Sequence, residues 1–427
     1  MSGVALTLLF SILLIGLPIG FVLVLACGLE IWLRGLPDML LAQRLFTGLD
    51  SFPIMAVPLF VLAGDLMCES GITNRIIALA DALVGHVKTG LCQVTIVSAV
   101  IFSGISGSAV ADASALGRVF IPSMEEAGYR RDYAAALIAA AGVLGPMIPP
   151  SIPMVIYSLI VQLSVGALFL AGTIPGFALA FALGGIARIT GPSRGGNRTR
   201  PRRSRAERLA AWRGAILPLA MPAIVLGGIL GGVVTPTEAA AIAVLYSLVV
   251  GLFVLRTLRC SALPRIFATS MMVSAAILFI MGSANIINWL LTTEQVPQRM
   301  AAWVIGTVES PALYLLLVNL MLLVVGCLIE GLAAMVVLVP ILFPIAQQLG
   351  IDPLHFATVV VFNLMIGLIT PPMGLLLFVA DGIARTGLAP ILRQLWPFLI
   401  AEIVVLIAVT YIPSLSTFLP ALAGYGR

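Results

Sequence analysis

The sequence predicts an all-α polytopic membrane protein built from two inverted repeats, each carrying a re-entrant helical hairpin. Three observations lead there. First, 61% of the 427 residues are hydrophobic and 10% are charged, with a mean hydropathy of +1.15. Soluble domains carry about 25% charged residues, so a water-soluble core cannot hide this much apolar surface, whereas a bilayer can. Second, the chain repeats its backbone breakers. Shifted by 222 residues, 102–153 lies over 324–375 without a gap, and Gly104, Pro122, Gly128, Gly145, Pro149 and Pro150 meet Gly326, Pro344, Gly350, Gly367, Pro371 and Pro372. The chain holds 41 Gly and 27 Pro, so chance gives about 0.7 such coincidences in that window. Third, the middle of the first copy is basic, with Arg118, Arg130 and Arg131, while no Lys or Arg occurs between Arg299 and Arg385. By the positive-inside rule the two copies turn on opposite sides of the membrane.

Apolar runs follow one another from about residue 4 to 419, giving one membrane domain with no soluble module. The first repeat is expected over about 53–190, with its hairpin and broken helix at 91–160. The second covers about 266–419, with its hairpin and broken helix at 315–380. Between them, the stretch 191–213 holds Arg194, Arg198, Arg200, Arg202, Arg203, Arg205, Arg208 and Arg213. A basic loop between spans is a cytoplasmic topology signal, so the net charge of +5 does not imply nucleic acid. Placing Arg256, Arg259 and Arg265 on that same side, and Arg34 and Arg44 with them, puts the N-terminus in the periplasm. The start of the chain reads as a first transmembrane helix rather than a cleaved leader.

The two broken helices carry the chemistry. Proline has no N–H, so Pro149 and Pro150 free the carbonyls of Gly145 and Pro146, and Pro371 and Pro372 free those of Gly367 and Leu368. Inside a membrane such a carbonyl must be met by water, a neighbouring hydroxyl or a bound cation. Hard cations such as Na⁺ take oxygen ligands, and unwound backbone offers them. Beside each break lies a small-residue stretch, Ser103-Gly-Ile-Ser-Gly-Ser-Ala109 in one copy and 326–331 in the other. Glycine there permits close backbone approach, and a helix starting at such a break attracts carboxylates. Asp112, Glu330 and Asp65 are acids in apolar runs and hence functional candidates. His86 and His355 fall near span edges and receive no role. The scattered cysteines Cys27, Cys68, Cys92, Cys260 and Cys327 form no metal-ligand or disulfide pattern. No metal-ligand motif, nucleophile–base constellation or phosphate-binding loop is present, so an enzyme or a primary pump is not expected.

These residues resemble the large membrane subunit of tripartite ATP-independent periplasmic (TRAP) transporters over essentially the full length. The resemblance is carried by Pro58-Leu-Phe-Val-Leu-Ala-Gly64, Ser103-Gly-Ile-Ser-Gly-Ser-Ala-Val-Ala-Asp112, Gly145-Pro-Met-Ile-Pro-Pro-Ser151 and Gly367-Leu-Ile-Thr-Pro-Pro-Met-Gly374. It implies an elevator-type carrier of the ion-transporter-superfamily kind in a bacterial inner membrane, coupled to Na⁺ and needing no cofactor. It also implies a small four-helix membrane subunit and a periplasmic substrate-binding protein as partners, and a small organic acid such as a C4-dicarboxylate or sialic acid as solute. By the same resemblance one Na⁺ site falls on Ser103, Ser106, Gly145, Ile148 and Pro150, and the other on Gly326, Gly367, Thr370 and Met373. Ser108 and Asp112 are placed near the substrate path. The alternative is a stand-alone Na⁺/dicarboxylate carrier that needs no binding protein.

Overall fold

A computed structural model describes residues 17–191, 201–308, 310–372 and 374–425, and every regular element among them is helical. Among the described residues, eight helices are long and apolar enough to cross a membrane. The chain opens with α1 (Ile19–Leu33), the short α2 (Met39–Thr47), α3 (Ala56–Glu69) and the amphipathic α4 (Ile72–Val84). The first hairpin follows as α5 (Gly90–Ser106) and α6 (Ala109–Glu126), then α7 (Arg131–Gly142), α8 (Ile152–Val161) and the long α9 (Val165–Thr190). In the centre stand α10 (Arg205–Leu230), α11 (Pro236–Val249), α12 (Leu263–Thr293) and α13 (Val296–Thr307). The second hairpin is α14 (Pro311–Leu328) and α15 (Gly331–Gln348), followed by α16 (Pro353–Gly367), α17 (Leu375–Ala384), α18 (Leu388–Tyr411) and α19 (Ser414–Leu422).

Local sequence sets these boundaries. Ser108, Ser151, Ser164 and Ser310 each cap a helix by accepting a backbone N–H, and Ser204 and Thr235 form capping boxes with Glu207 and Glu238. Gly128 and Gly350, which coincide under the 222-residue shift, both have positive φ just past the ends of α6 and α15. Those ends need the left-handed conformation that only glycine adopts without strain. The shift carries over to whole elements: α15 is α6 displaced by 222 residues, and α16, α17 and α18 follow α7, α8 and α9 to within a few residues.

The two copies run in opposite directions. Arg131, at the start of α7, donates to the carbonyl of Ala384 at the end of α17, 2.7 Å away. At the far end His355, starting α16, meets the carbonyl of Thr410 near the end of α18. The first copy has a matching contact, Tyr133 Oη to Thr190 Oγ1 at 2.9 Å. Packing relies on small residues: α7 buries an almost unbroken alanine face, Ala134–Ala136 and Ala139–Ala141, which lets neighbouring backbones approach closely where lipid offers no hydrophobic drive.

One topological expectation is corrected. Arg265 at the start of α12 pairs with Glu69, beside the turn that leads through α4 to the Arg203–Asp81 ion pair of the basic loop. At the other end of α12, Glu294 pairs with Arg34, Asn285 donates to the carbonyl of Arg44, and the Arg44 guanidinium lies over Trp289. A helix of 31 residues is about 46 Å long. Arg34 and Arg44 therefore lie at the opposite end from Arg265, not on the same side. Charge counting alone does not place the two basic groups on different sides, because it is the whole length of α12 that separates them. The expected side of the N-terminus rests on residues 1–16, and part of the basic loop, 192–200, likewise lies outside the described residues.

Candidate functional site

The first break is assembled from the end of α5, the start of α6 and the segment between α7 and α8. α5 ends at Ser106 and the chain reverses at Gly107, with φ +60°; a Cβ there would fall 2.5 Å from the carbonyl oxygen of Pro150. Only glycine fits both the conformation and the contact. The reversal brings Asp112, in the first turn of α6, back over α5. Its carboxylate is fully buried; Ser106 donates its hydroxyl to Oδ1, and Ser103 Oγ lies 3.1 Å from Oδ2. The Ser108 N–H donates to Ser106 Oγ at 3.2 Å, and the Ser108 hydroxyl caps α6 by accepting from Ala111 N. Gly145 closes the cluster: a Cβ on it would lie 2.7 Å from Asp112 Oδ2.

The four carbonyls freed by the proline pairs meet different fates. That of Pro146 accepts the Ser151 hydroxyl, Gly367 accepts Thr370 N at 3.1 Å, and Leu368 accepts Leu376 N at 3.0 Å. The carbonyl of Gly145 takes no hydrogen bond among the described residues. The expectation that Gly145 and Gly367 both lack a helical donor thus holds for Gly145 alone, because a tightened turn reclaims Gly367. Both Pro–Pro bonds are cis. Ile148 N donates to Leu144 O at 3.0 Å.

At the second break Gly326, the third residue from the end of α14, lies backbone to backbone against Gly367. The Thr370 hydroxyl donates to the Ile366 carbonyl at 2.8 Å, and Met373 lies outside the described residues. No acid takes the place that Asp112 holds in the first copy, for the residue 222 further on is Ala334. Glu330 instead stands at the position just before α15, where its side chain makes no capping hydrogen bond.

A cavity of about 600 Å³ lies between the two breaks, lined by Ser106, Ser108, Pro146, Glu330 and Leu368. Its lining continues to Arg118, Glu69 and Thr269, towards the end of the molecule where Arg265 pairs with Glu69. Arg118 stands on α6 ten residues past Ser108, about 15 Å along the helix. Asp65, also on the wall, accepts the Ser270 hydroxyl at 2.5 Å.

Geometry therefore joins Ser103, Ser106, Gly145 and Asp112 in one cluster. Ser108 both lines the cavity and caps the helix above that cluster. Sequence reasoning missed a buried polar chain in the second copy. His355 bonds Ser416 and Thr410, Asn319 donates to Thr410 Oγ1, and Asn363 donates to Asn319. It also missed Glu402, fully buried in α18. A lone acid in a long apolar run was the available signal.

Known proteins share both sequence and fold. The chain is 40% identical to the sialic acid TRAP transporter large permease protein SiaM of Vibrio cholerae, over 98% of each chain. It is 41% identical to the C4-dicarboxylate TRAP transporter large permease protein DctM of Pseudomonas aeruginosa, over 89% of each. Its fold resembles the YdaH transporter of Alcanivorax borkumensis, with TM-score 0.59 and 19% identity over 90% of this chain and 88% of that one. The model of the tripartite ATP-independent periplasmic transporter DctM component matches residues 6–415, and the chain belongs to that family.

Proposed function

We propose that this large permease imports a small organic acid, such as a C4-dicarboxylate, sialic acid or a similar carboxylate, together with Na⁺. It works by an elevator motion in a bacterial inner membrane, with a small membrane subunit and a periplasmic binding protein. The observation that carries this reading is the cavity set between two helix breaks, one of which gathers two serine hydroxyls, a carboxylate and an unbonded carbonyl. That donor set is all oxygen and carries one negative charge, which suits Na⁺. The residues at hand are Ser103, Ser106, Asp112 and Gly145, with Ile148 and Pro150 on the same segment. Around the second break, Gly326, Gly367 and Thr370 offer mostly backbone oxygens, and no carboxylate. Next to the first cluster the N-termini of α6 and α8, capped by Ser108 and Ser151, present positive dipole ends to the cavity, where the solute carboxylate belongs.

Filling the first site offsets the Asp112 charge and joins α5, α6 and the α7–α8 break into a body that moves as one. The cavity reaches the end rich in arginine, so this arrangement is the inward-facing one by the positive-inside rule. Family membership favours the binding-protein-dependent reading over a stand-alone carrier. Reconstitution tests it: liposomes holding the permease, the small subunit and the binding protein should take up the carboxylate only with a Na⁺ gradient. Uptake that ignores Na⁺ removes the coupling assignment, and robust uptake by the permease alone removes the partner assignment.

A further inference from the structure

Away from both breaks three acids are buried among the described residues: Glu30 pairs with Arg34, Asp132 pairs with Arg130, and the third is Glu402. Glu402 has no exposed surface, and neither carboxyl oxygen has a hydrogen-bond partner. It sits in the middle of α18, which packs against α7, α9, α16 and α17. Two contacts fix its level. Phe398, one turn earlier, has its ring 5.7 Å from that of Tyr133 on α7, and Thr410, two turns later, meets His355 on α16. Glu402 thus lies along the stretch of α18 that spans from one broken helix to the other.

The ionisable side chains on those four helices stand near helix ends and, but for one, have partners of their own. Arg131 bonds Glu125 and the carbonyls of Ile383 and Ala384, Asp132 pairs with Arg130, and Tyr133 meets Thr190. His355 meets Ser416 and Thr410, Asp381 accepts the N–H groups of Thr386 and Gly387, and Arg188 is exposed at the end of α9. No hydrogen bond or ion pair joins any of them to Glu402 among the described residues. A carboxylate with neither cation nor donor is strongly disfavoured in an apolar interior, whereas the neutral acid is tolerated.

We propose that Glu402 is a proton-binding site of the transport cycle. With its proton in place the neutral acid lets α18 hold α7 and α16 together. When the O–H bond breaks and the proton passes to water, a bare charge is left between helices that have nothing to pair with it, and transport slows. The Na⁺ sites proposed above use none of these atoms, so this proton acts independently of them.

The test uses the complete three-component system in liposomes at saturating Na⁺, with initial uptake measured from acid to alkaline pH. Wild-type uptake is expected to fall severalfold toward alkaline pH, while Glu402→Gln, which keeps the shape and has no proton to lose, holds its rate. Thermal unfolding of the purified chain should follow: the wild type melts earlier as pH rises and the variant does not. If Glu402→Gln accumulates poorly, Glu402→Leu takes its place in both measurements. A variant with the same alkaline decline as the wild type overturns the proposal, and so does a wild type flat in both measurements. A Glu402→Gln protein that needs more Na⁺ at every pH makes the carboxyl a Na⁺ ligand, which equally overturns the proton assignment.

Discussion

Gly326 and Gly367 touch through their backbones: a Cβ built on Gly367 would fall 2.7 Å from the Cα, the carbonyl carbon and the carbonyl oxygen of Gly326. No side-chain rotation relieves a clash with backbone. Gly367→Ala is therefore expected to force the hairpin off the broken helix, at a cost of about 1–3 kcal/mol in stability and with loss of transport. Gly382 on α17 has nothing within 4 Å of its would-be Cβ, so Gly382→Ala should leave uptake intact. Uptake and melting temperature of the two variants, compared side by side, check this. Wild-type rates in Gly367→Ala would show that the close approach is dispensable.

Asp112 is the only acid in the first break, and Ser103, Ser106 and Gly145 surround its oxygens. Asp112→Asn keeps the shape and removes the charge that attracts a cation. Half-maximal uptake should then need at least about ten-fold more Na⁺, in line with the about 1.5–3 kcal/mol carried by a hydrogen bond to a charged group. Ser106→Ala should shift the Na⁺ requirement in the same direction by a smaller factor. An unchanged Na⁺ requirement in Asp112→Asn would remove the carboxylate from the ion site.

Helix breaks were legible in the sequence because they are written in glycine and proline, whose backbone effects need no partner to be understood. Pro149 and Pro371 announced them, and the shift of 222 residues paired them. What the sequence could not show was where each freed carbonyl would turn. Ser151 captures Pro146 and Leu376 captures Leu368, contacts decided by how the chain folds back after each proline pair. Asp112 was noticed as an acid, but its place among Ser103 and Ser106 depends on the reversal at Gly107. The sides of Arg34 and Arg44 were misplaced because they depend on α12, a helix whose length outruns its apolar run. Glu402 went unnoticed because one acid hardly changes the hydropathy of α18.

Accessibility labelling tests the arrangement of the ends. Gly128 adjoins Arg131 at the start of α7, whereas Gly350 precedes α16, whose first turn lies at the far end of α18. Single cysteines at these two positions should label from opposite sides, with Gly128 reached from the cytoplasm. A cysteine at Gly35, beside the Arg34–Glu294 pair, should label from the same side as Gly350. Labelling of all three from one side would end the inverted-repeat description.

Thr370 gives the sharpest test of the proposed second ion site. Its hydroxyl donates to the carbonyl of Ile366, so its oxygen lone pairs stay free for a cation, and it follows Gly367 by three residues. Thr370→Val keeps the volume and removes that oxygen, but it also removes the hydrogen bond to Ile366, which by itself costs about 1 kcal/mol. A control separates the two effects. Thr358, inside α16, donates in the same i to i−4 way to the carbonyl of Leu354 at 2.8 Å, well away from the break. Thr358→Val therefore reports the loss of the bond alone. Thr370→Val is expected to raise the Na⁺ concentration for half-maximal uptake by about ten-fold, with Thr358→Val unchanged in Na⁺ dependence. Equal shifts in both variants would mean that helix stability, and not a lost ligand, sets the Na⁺ response. No shift in either would leave the second site to backbone oxygens, with Thr370 contributing no ligand from its side chain.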